Sequence, residues 1–319
     1  MTSTARTVQH SELWDQTLDA DRFTPDSEVD ALLVGGVDLH THPGPSPFPR
    51  RMSIMDAAVD AATVGFRALV CKSHHHSMQS DILALESVGL RDTGVHVVGG
   101  VALNRTVGGL NPYAVELALR MGGRVVWFPT IASSAHIEFH ASHHSGFPIS
   151  GIPLRDNEPI TILDGAGGLL PEVHDILSVI AAESAVLNCG HLPAAEIDVL
   201  VPAAVAAGIE RIVISHPDFV VGADPGRVGS WARQGATVEL CLAMLVGARS
   251  TGSPVERTAE FRRAAGVGHT IFSSDLGQKG NPLPITAYRR MVRSLLDAGT
   301  AEDDITAMVG GNAGQLLEP

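Results

Sequence analysis

The chain is poor in cysteine, lysine and positive charge, and each shortage closes off a class of protein. Its 319 residues hold three cysteines, Cys71, Cys189 and Cys241, far apart and with no CxxC pair. That excludes a disulfide-stapled fold and reads as reduced thiols in a cytosolic protein. Asp and Glu number 35 against 22 Lys and Arg, a net charge of -13 with His neutral. An acidic surface attracts neither nucleic acid nor anionic membrane, so neither is a main partner, although a local basic pocket is compatible with the total. No apolar run reaches membrane-spanning length, and Met1 to Asp30 is polar and acidic without a signal-peptide core. With 45% hydrophobic and 18% charged residues the composition argues against global disorder and supports a large buried core. Only two lysines, Lys72 and Lys279, stand beside twenty arginines. An Arg-favouring genome accounts for the ratio, yet both lysines fall near the ends of apolar runs.

What is present is regular. From Ala31 onward, β-branched apolar runs alternate with Ala-rich helical stretches, the pattern of βα units and a parallel sheet. Residues 1–30 read as an N-terminal extension, with Ser11 to Asp21 as a short helix for packing on the main domain or on a partner subunit of a homo-oligomer. The strand candidates are 31–39, 66–72, 95–102, 123–128, 184–189, 210–215, 236–242 and 269–274. Ser53 is placed to cap a helix from Ile54, with Gly65 beyond its end. Asn111-Pro112, Pro171-Glu172 and Ser253-Pro254 start further helices. Ala194 to Ala207, Leu283 to Leu296 and Glu302 to Met308 read as helices too. Eight strands with helices between them predict an α/β fold, a (β/α)8 TIM-like barrel over 31–319. The alternative is an open doubly wound sheet, which normally carries GxGxxG after its first strand; here that strand ends in HTHPGP.

Residues 131–170 break the pattern. They hold His136, His140, His143 and His144, then Pro148, Pro153 and Pro159, and Ile160 to Gly165 looks like a short hairpin. A connection this long is usually functional or mobile. It reads as a His-rich insertion after strand 4 that forms a lid, or as a solvated loop that happens to be rich in His.

The chemistry gathers at the ends of the apolar runs. The first run ends in His40-Thr41-His42, whose i, i+2 spacing puts both imidazoles on one face of a strand. An isolated HxH is as readily two unrelated polar residues. Other runs end in Lys72-Ser73-His74, Gly190-His191, Ser215-His216 and Ser274-Asp275, and in a (β/α)8 barrel such C-terminal ends converge. Four neutral imidazoles and a carboxylate suit two divalent ions. Asp275 could also take a proton from a metal-bound water whose pKa the ion has lowered.

The order of HxH after strand 1, His after strands 5 and 6 and Asp after strand 8 resembles the amidohydrolase superfamily, from about Ala31 to the C-terminus. The resemblance implies that His40, His42 and Asp275 bind one metal and His191 and His216 the other. It departs at strand 4, where Val126-Trp127-Phe128-Pro129-Thr130 offers neither the usual carboxylated Lys nor Glu as a bridge. Lys72 is the obvious substitute, as a carbamate or as a neutral amine, with Cys71 and Glu239 as further candidates. The segments around Lys72, Asn104-Arg105, Trp127 and Asp275-Leu276-Gly277-Gln278 look like a largely uncharacterised branch with Lys after strand 2. His74, Asn104, Arg105, His140 and His143 are candidate substrate-binding residues, with Asn104 and Arg105 placed to meet an anionic group.

The resemblance implies a dinuclear-metal hydrolase, in which zinc, iron or manganese activates water against an amide, lactone or ester of a small-molecule substrate. The chain as a whole is also similar to the non-haem diiron monooxygenases of platensimycin-type diterpenoid biosynthesis. That likeness implies two irons and dioxygen on the same barrel. A non-enzymatic binding protein is the third reading, opposed by the filling of every ligand position.

Overall fold

The first apolar run divides into a helix and a strand. The structure, a computed structural model, describes residues 25–142, 150–247, 250 and 252–318. Ser27–Leu33 is helical, capped by the Asp26 side chain, which accepts from the amides of Glu28 and Val29. Val29 and Leu33, one helical turn apart, are its buried residues. The chain reverses at Gly35, whose φ of +77° favours glycine. Strand β1 (Val37–Thr41) therefore begins later than the expected 31–39. Helix Ser27–Leu33 also runs across residue 30, the expected end of the extension.

The remaining expected strands all form. They are β2 (Ala68–Cys71), β3 (His96–Val98), β4 (Gly100–Ala102), β5 (Val125–Trp127), β6 (Val186–Asn188), β7 (Ile212–Ser215), β8 (Ala236–Cys241) and β9 (Thr270–Ser273). The run 95–102 divides in two because the Gly99 amide donates to Gln79 Oε1 at 2.8 Å. Every pairing is parallel, and the order follows the chain: β1-β2-β3 in one sheet, β4 to β9 in another. No continuous ladder joins β9 to β1 among the described residues. Their C-terminal ends meet instead through a Thr41–Leu276 bridge, with Asp275 N donating to His40 O and His42 N to Leu276 O, each at 2.7 Å.

Strand alternation sorts the side chains into two layers. Ala68, Val70, Val125 and Trp127 pack in one cluster; Leu69, Cys71, Val126 and Phe128 pack in the larger core. Lys72 continues the parity of Ala68 and Val70. Helices close the outer side where local chemistry starts them. Ser53 and Asp56 form a reciprocal capping box on Ile54–Ala62. Asn111 caps Pro112–Arg120 and Ser253 caps Pro254–Ala265. The described residues of 131–170 are partly regular. Ser134–Ser142 is a helix, Ile160 bridges to Ser133 and Leu163 to Leu169. His143, His144 and Pro148 lie outside the described residues, as does the expected helix from Ser11 to Asp21. Among the described residues no helix is long and apolar enough to cross a membrane.

Candidate metal centre

His40 and His42 leave β1 with their Nε2 atoms 3.2 Å apart. Their Nδ1 atoms are both committed. His42 Nδ1 is 3.0 Å from the backbone oxygen of Lys72, which can only accept, so the ring proton sits on Nδ1. His40 Nδ1 is 3.2 Å from Glu239 Oε2 in the same way. Burial pushes the Glu239 carboxyl up, but His40 and the Ser215 and Ser273 hydroxyls overcome it and hold the group near 2, ionised. With a single ring proton held on Nδ1, Nε2 presents a lone pair. Asp275 Oδ1 completes the cluster at 3.3 Å from His40 Nε2 and 3.0 Å from His42 Nε2.

Three acceptors without a proton of their own repel one another unless a cation stands among them. Donor atoms about 2.0–2.1 Å from one ion stand ~2.8–3.4 Å from each other in octahedral or tetrahedral geometry. The observed spacings fall in that range, so the residues fit a metal. The pattern in which Glu239 and the Lys72 carbonyl hold the far ring nitrogens is the usual support for metal-bound His.

Lys72 Nζ lies 3.0 Å from His40 Nε2 and 5.5 Å from the Trp127 ring centroid. It is fully buried, and burial lowers its pKa from the ordinary lysine value. Cys71 points the opposite way into the outer core, and Glu239 is taken up in holding His40. Of the three candidates for the missing strand 4 ligand, Lys72 brings its side-chain end to the Nε2 side of His40, while Glu239 sits on the Nδ1 side with Oε1 unpartnered.

His191 and His216 stand beside this group. Their ring centroids are 4.8 Å apart, and that of His216 is 6.3 Å from His40. His216 Nδ1 is buried without a hydrogen-bond partner among the described residues. A His216 nitrogen, the Cys241 sulfur and an Asp275 oxygen all lie within 4.8 Å of one another. Burial drives His42 to about 3 and His216 to about 4, and holds His74 and His191 well below the ordinary imidazole value. All four are neutral near pH 7, the form that binds metal. Burial likewise raises the Asp275 carboxyl, but His40, His42 and His216 together leave it well below its ordinary value.

Local backbone strain marks the same positions. Only three described non-glycine residues have positive φ, and two are His216 (28°) and Asp275 (50°). At Gly277 an added Cβ would lie 2.1 Å from the His42 carbonyl oxygen, so no side chain fits where this loop crosses β1.

A cleft with about 440 Å3 of atom-free space opens onto the cluster, lined on one side by His74, His136, His140, His191, His216 and Asp275. His136 and His140 come from the helix within the insertion. His74 is oriented by a network. Asn104 Nδ2 donates to the His74 carbonyl and to Thr130 Oγ1, while Asn104 Oδ1 accepts from the amides of Thr130 and Ala132. Thr130 Oγ1 lies 2.9 Å from His74 Nδ1, which fixes the ring with Nδ1 toward the network.

Two expected anion-binding residues have other work. All four hydrogen-bonding positions of the Asn104 amide are used inside the protein, leaving none for a substrate. Arg105 is 49% exposed, donates to the carbonyls of Glu158 and Pro159, and does not line the cleft. The cation that does line it is Arg50, unnoticed among the prolines that follow His42. The Arg50-Arg51 pair just beyond the HxH loop was the available signal.

The fold, with parallel strands whose carboxyl ends gather His, Lys and Asp around one cleft, is similar to that of several solved hydrolases. An amidohydrolase from Pseudomonas aeruginosa superposes with a TM-score of 0.61 at 10% identity, covering 91% of this chain and 97% of that one. A probable dipeptidase from the same organism gives 0.61 at 12% identity, covering 91% and 96%. An organophosphorus hydrolase from Deinococcus radiodurans gives 0.55 at 13% identity, covering 90% and 94%. By its sequence the chain belongs to a family of unknown function, DUF6282, whose model matches residues 35–239. No curated protein matches it.

Proposed function

We propose that the chain is a metal-dependent hydrolase acting on an amide, lactone or ester of a small organic substrate. We read its two sheets as one (β/α)8 barrel, interrupted at Gly99 and sealed at the β1–β9 edge by the Thr41–Leu276 bridge. The observation that carries the reading is the meeting of His40 Nε2, His42 Nε2 and Asp275 Oδ1, three acceptors within 3.0–3.3 Å of one another. These three would hold one divalent ion, and His191 and His216 a second. Lys72 would be the remaining ligand, as an amine or as a carbamate. A divalent ion in such a site acts as a Lewis acid and lowers the pKa of a coordinated water towards neutrality.

The side chains divide the remaining work. Asp275 accepts the water's proton at a carboxylate oxygen and hands it on to the leaving group. His74, on the cleft wall, would donate from Nε2 to the oxygen on which negative charge develops. The helix Ser134–Ser142 shapes the substrate pocket, with His136 and His140 on its wall. The diiron oxygenase reading draws on the same ligands, with Lys72 as its particular support.

Metal content tests the proposal. Wild-type protein is expected to retain divalent metal through desalting, and His40→Ala to lose metal and hydrolytic activity while keeping its circular dichroism. A folded His40→Ala with undiminished metal content would overturn the reading.

A further inference from the structure

Arg50 is 2% exposed, and its guanidinium forms no hydrogen bond or ion pair with any described residue. Its Nε is fully enclosed, and the residue lines the cleft. Guanidinium keeps its charge at any pH the fold experiences, so it is a buried cation awaiting a partner. The nearby acid is Asp275, which lies beyond ion-pair distance and is engaged with His40 and His42. Arg50 is also held in place. Its backbone pairs antiparallel with Gln278, Arg51 N donates to Gly277 O, and Lys279 N donates to Pro49 O. The guanidinium is thus clamped to the loop that carries Asp275, on the same cleft as the reacting groups. Phe48, Phe219, Val220 and Met244 supply an apolar wall beside it.

We propose that the substrate is a small organic anion, an apolar body bearing one carboxylate, and that Arg50 binds that carboxylate through its two-pronged N–H face. The proposal deepens the hydrolase reading and rests on it for where the scissile bond lies. A carboxylate is the group whose two oxygens match the two-pronged N–H face and whose single charge matches one guanidinium.

Calorimetric titration of zinc-loaded protein with 3-phenylpropanoate, its neutral amide and 2-phenylethylphosphonate tests this. The acid is expected to bind about 30-fold or more tightly than the amide, and more tightly than the phosphonate. Arg50→Gln should lose a similar factor for the acid while its zinc content stays at the wild-type level. Equal affinity of wild type and Arg50→Gln for the acid would overturn the proposal, since the metals alone would then hold the carboxylate. So would equal binding of acid and amide, preference for the phosphonate, or no binding of the acid to wild type. If the protein takes up no zinc, the hydrolase reading fails, and the acid-against-amide comparison on wild type still decides the role of Arg50.

Discussion

Glu239 and His40 lie on neighbouring sides of one site, with Oε2 and Nδ1 3.2 Å apart and both side chains fully buried. The carboxylate sets which ring nitrogen carries the proton, and so keeps Nε2 free as a ligand. Glu239→Gln preserves size but offers an amide that can donate to Nδ1 and turn the ring's tautomer around. The variant should bind zinc about 10- to 100-fold more weakly, the loss typical of such support. Competition against a chromogenic chelator measures it. Unchanged affinity would show that Glu239 does not orient the ligand.

Lys72 is expected to coordinate as a neutral group. Lys72→Ala should lower metal content as well as rate. Lys72→Arg should fare no better, because guanidinium stays charged and cannot bind a cation. Added bicarbonate should speed reconstitution of metal-free wild type if the carbamate forms, and leave it unchanged if the amine binds directly. Full metal retention in Lys72→Ala would remove Lys72 from the site.

The buried imidazoles make the metal-free protein sensitive to mild acid. In the folded state His42 and His216 sit at about 3 and about 4, below the ordinary value of 6.5, and His74 and His191 are also lowered. Their contribution to stability is full above pH 6.5. It is lost as pH falls toward the folded values, because the unfolded chain takes up protons that the folded rings refuse. Asp38, raised by burial to about 6, works in the opposite direction, as one carboxyl against four rings. Urea denaturation of metal-free protein should show stability falling between pH 6.5 and 4.5, by a few kcal/mol per pH unit, at about 1.4 for each unmatched proton. Flat or rising stability over that interval would contradict these assignments.

Gly277→Ala should cost about 2 kcal/mol or more in stability, through positive φ and the approach to the His42 carbonyl. Metal affinity should fall with it, since His42 leaves the strand at that point. Chemical denaturation and chelator competition measure the two effects. A loss below about 0.5 kcal/mol, the size of an ordinary surface substitution, would show that the loop yields freely.

Much of this site is legible in the sequence because strand ends are. His40, His42, Lys72, His191, His216 and Asp275 each close an apolar run, and parallel topology brings such ends together. Helix starts at Ser53, Asn111 and Ser253 are legible for a similar reason, since capping is local chemistry. Groups whose role depends on tertiary contact are not. Arg50 lies in a proline-rich loop, and only its pairing with Gln278 carries it to the cleft. Asn104 looks like a ligand-binding amide until its four hydrogen bonds are counted. Ala31 to Leu33 reads as strand by composition, but the Asp26 cap and the burial of Val29 and Leu33 favour helix. The helix Ser134–Ser142 has little amphipathic pattern to reveal it, because its histidines face a cleft rather than a core.

The most direct test of the central claim is elemental analysis of anaerobically purified wild-type protein, combined with an oxygen electrode and a screen of ester, lactone and amide substrates. The hydrolase account predicts bound divalent metal, hydrolysis that chelation abolishes and metal restores, and no dioxygen uptake. Two irons per chain with substrate-dependent dioxygen uptake would contradict it.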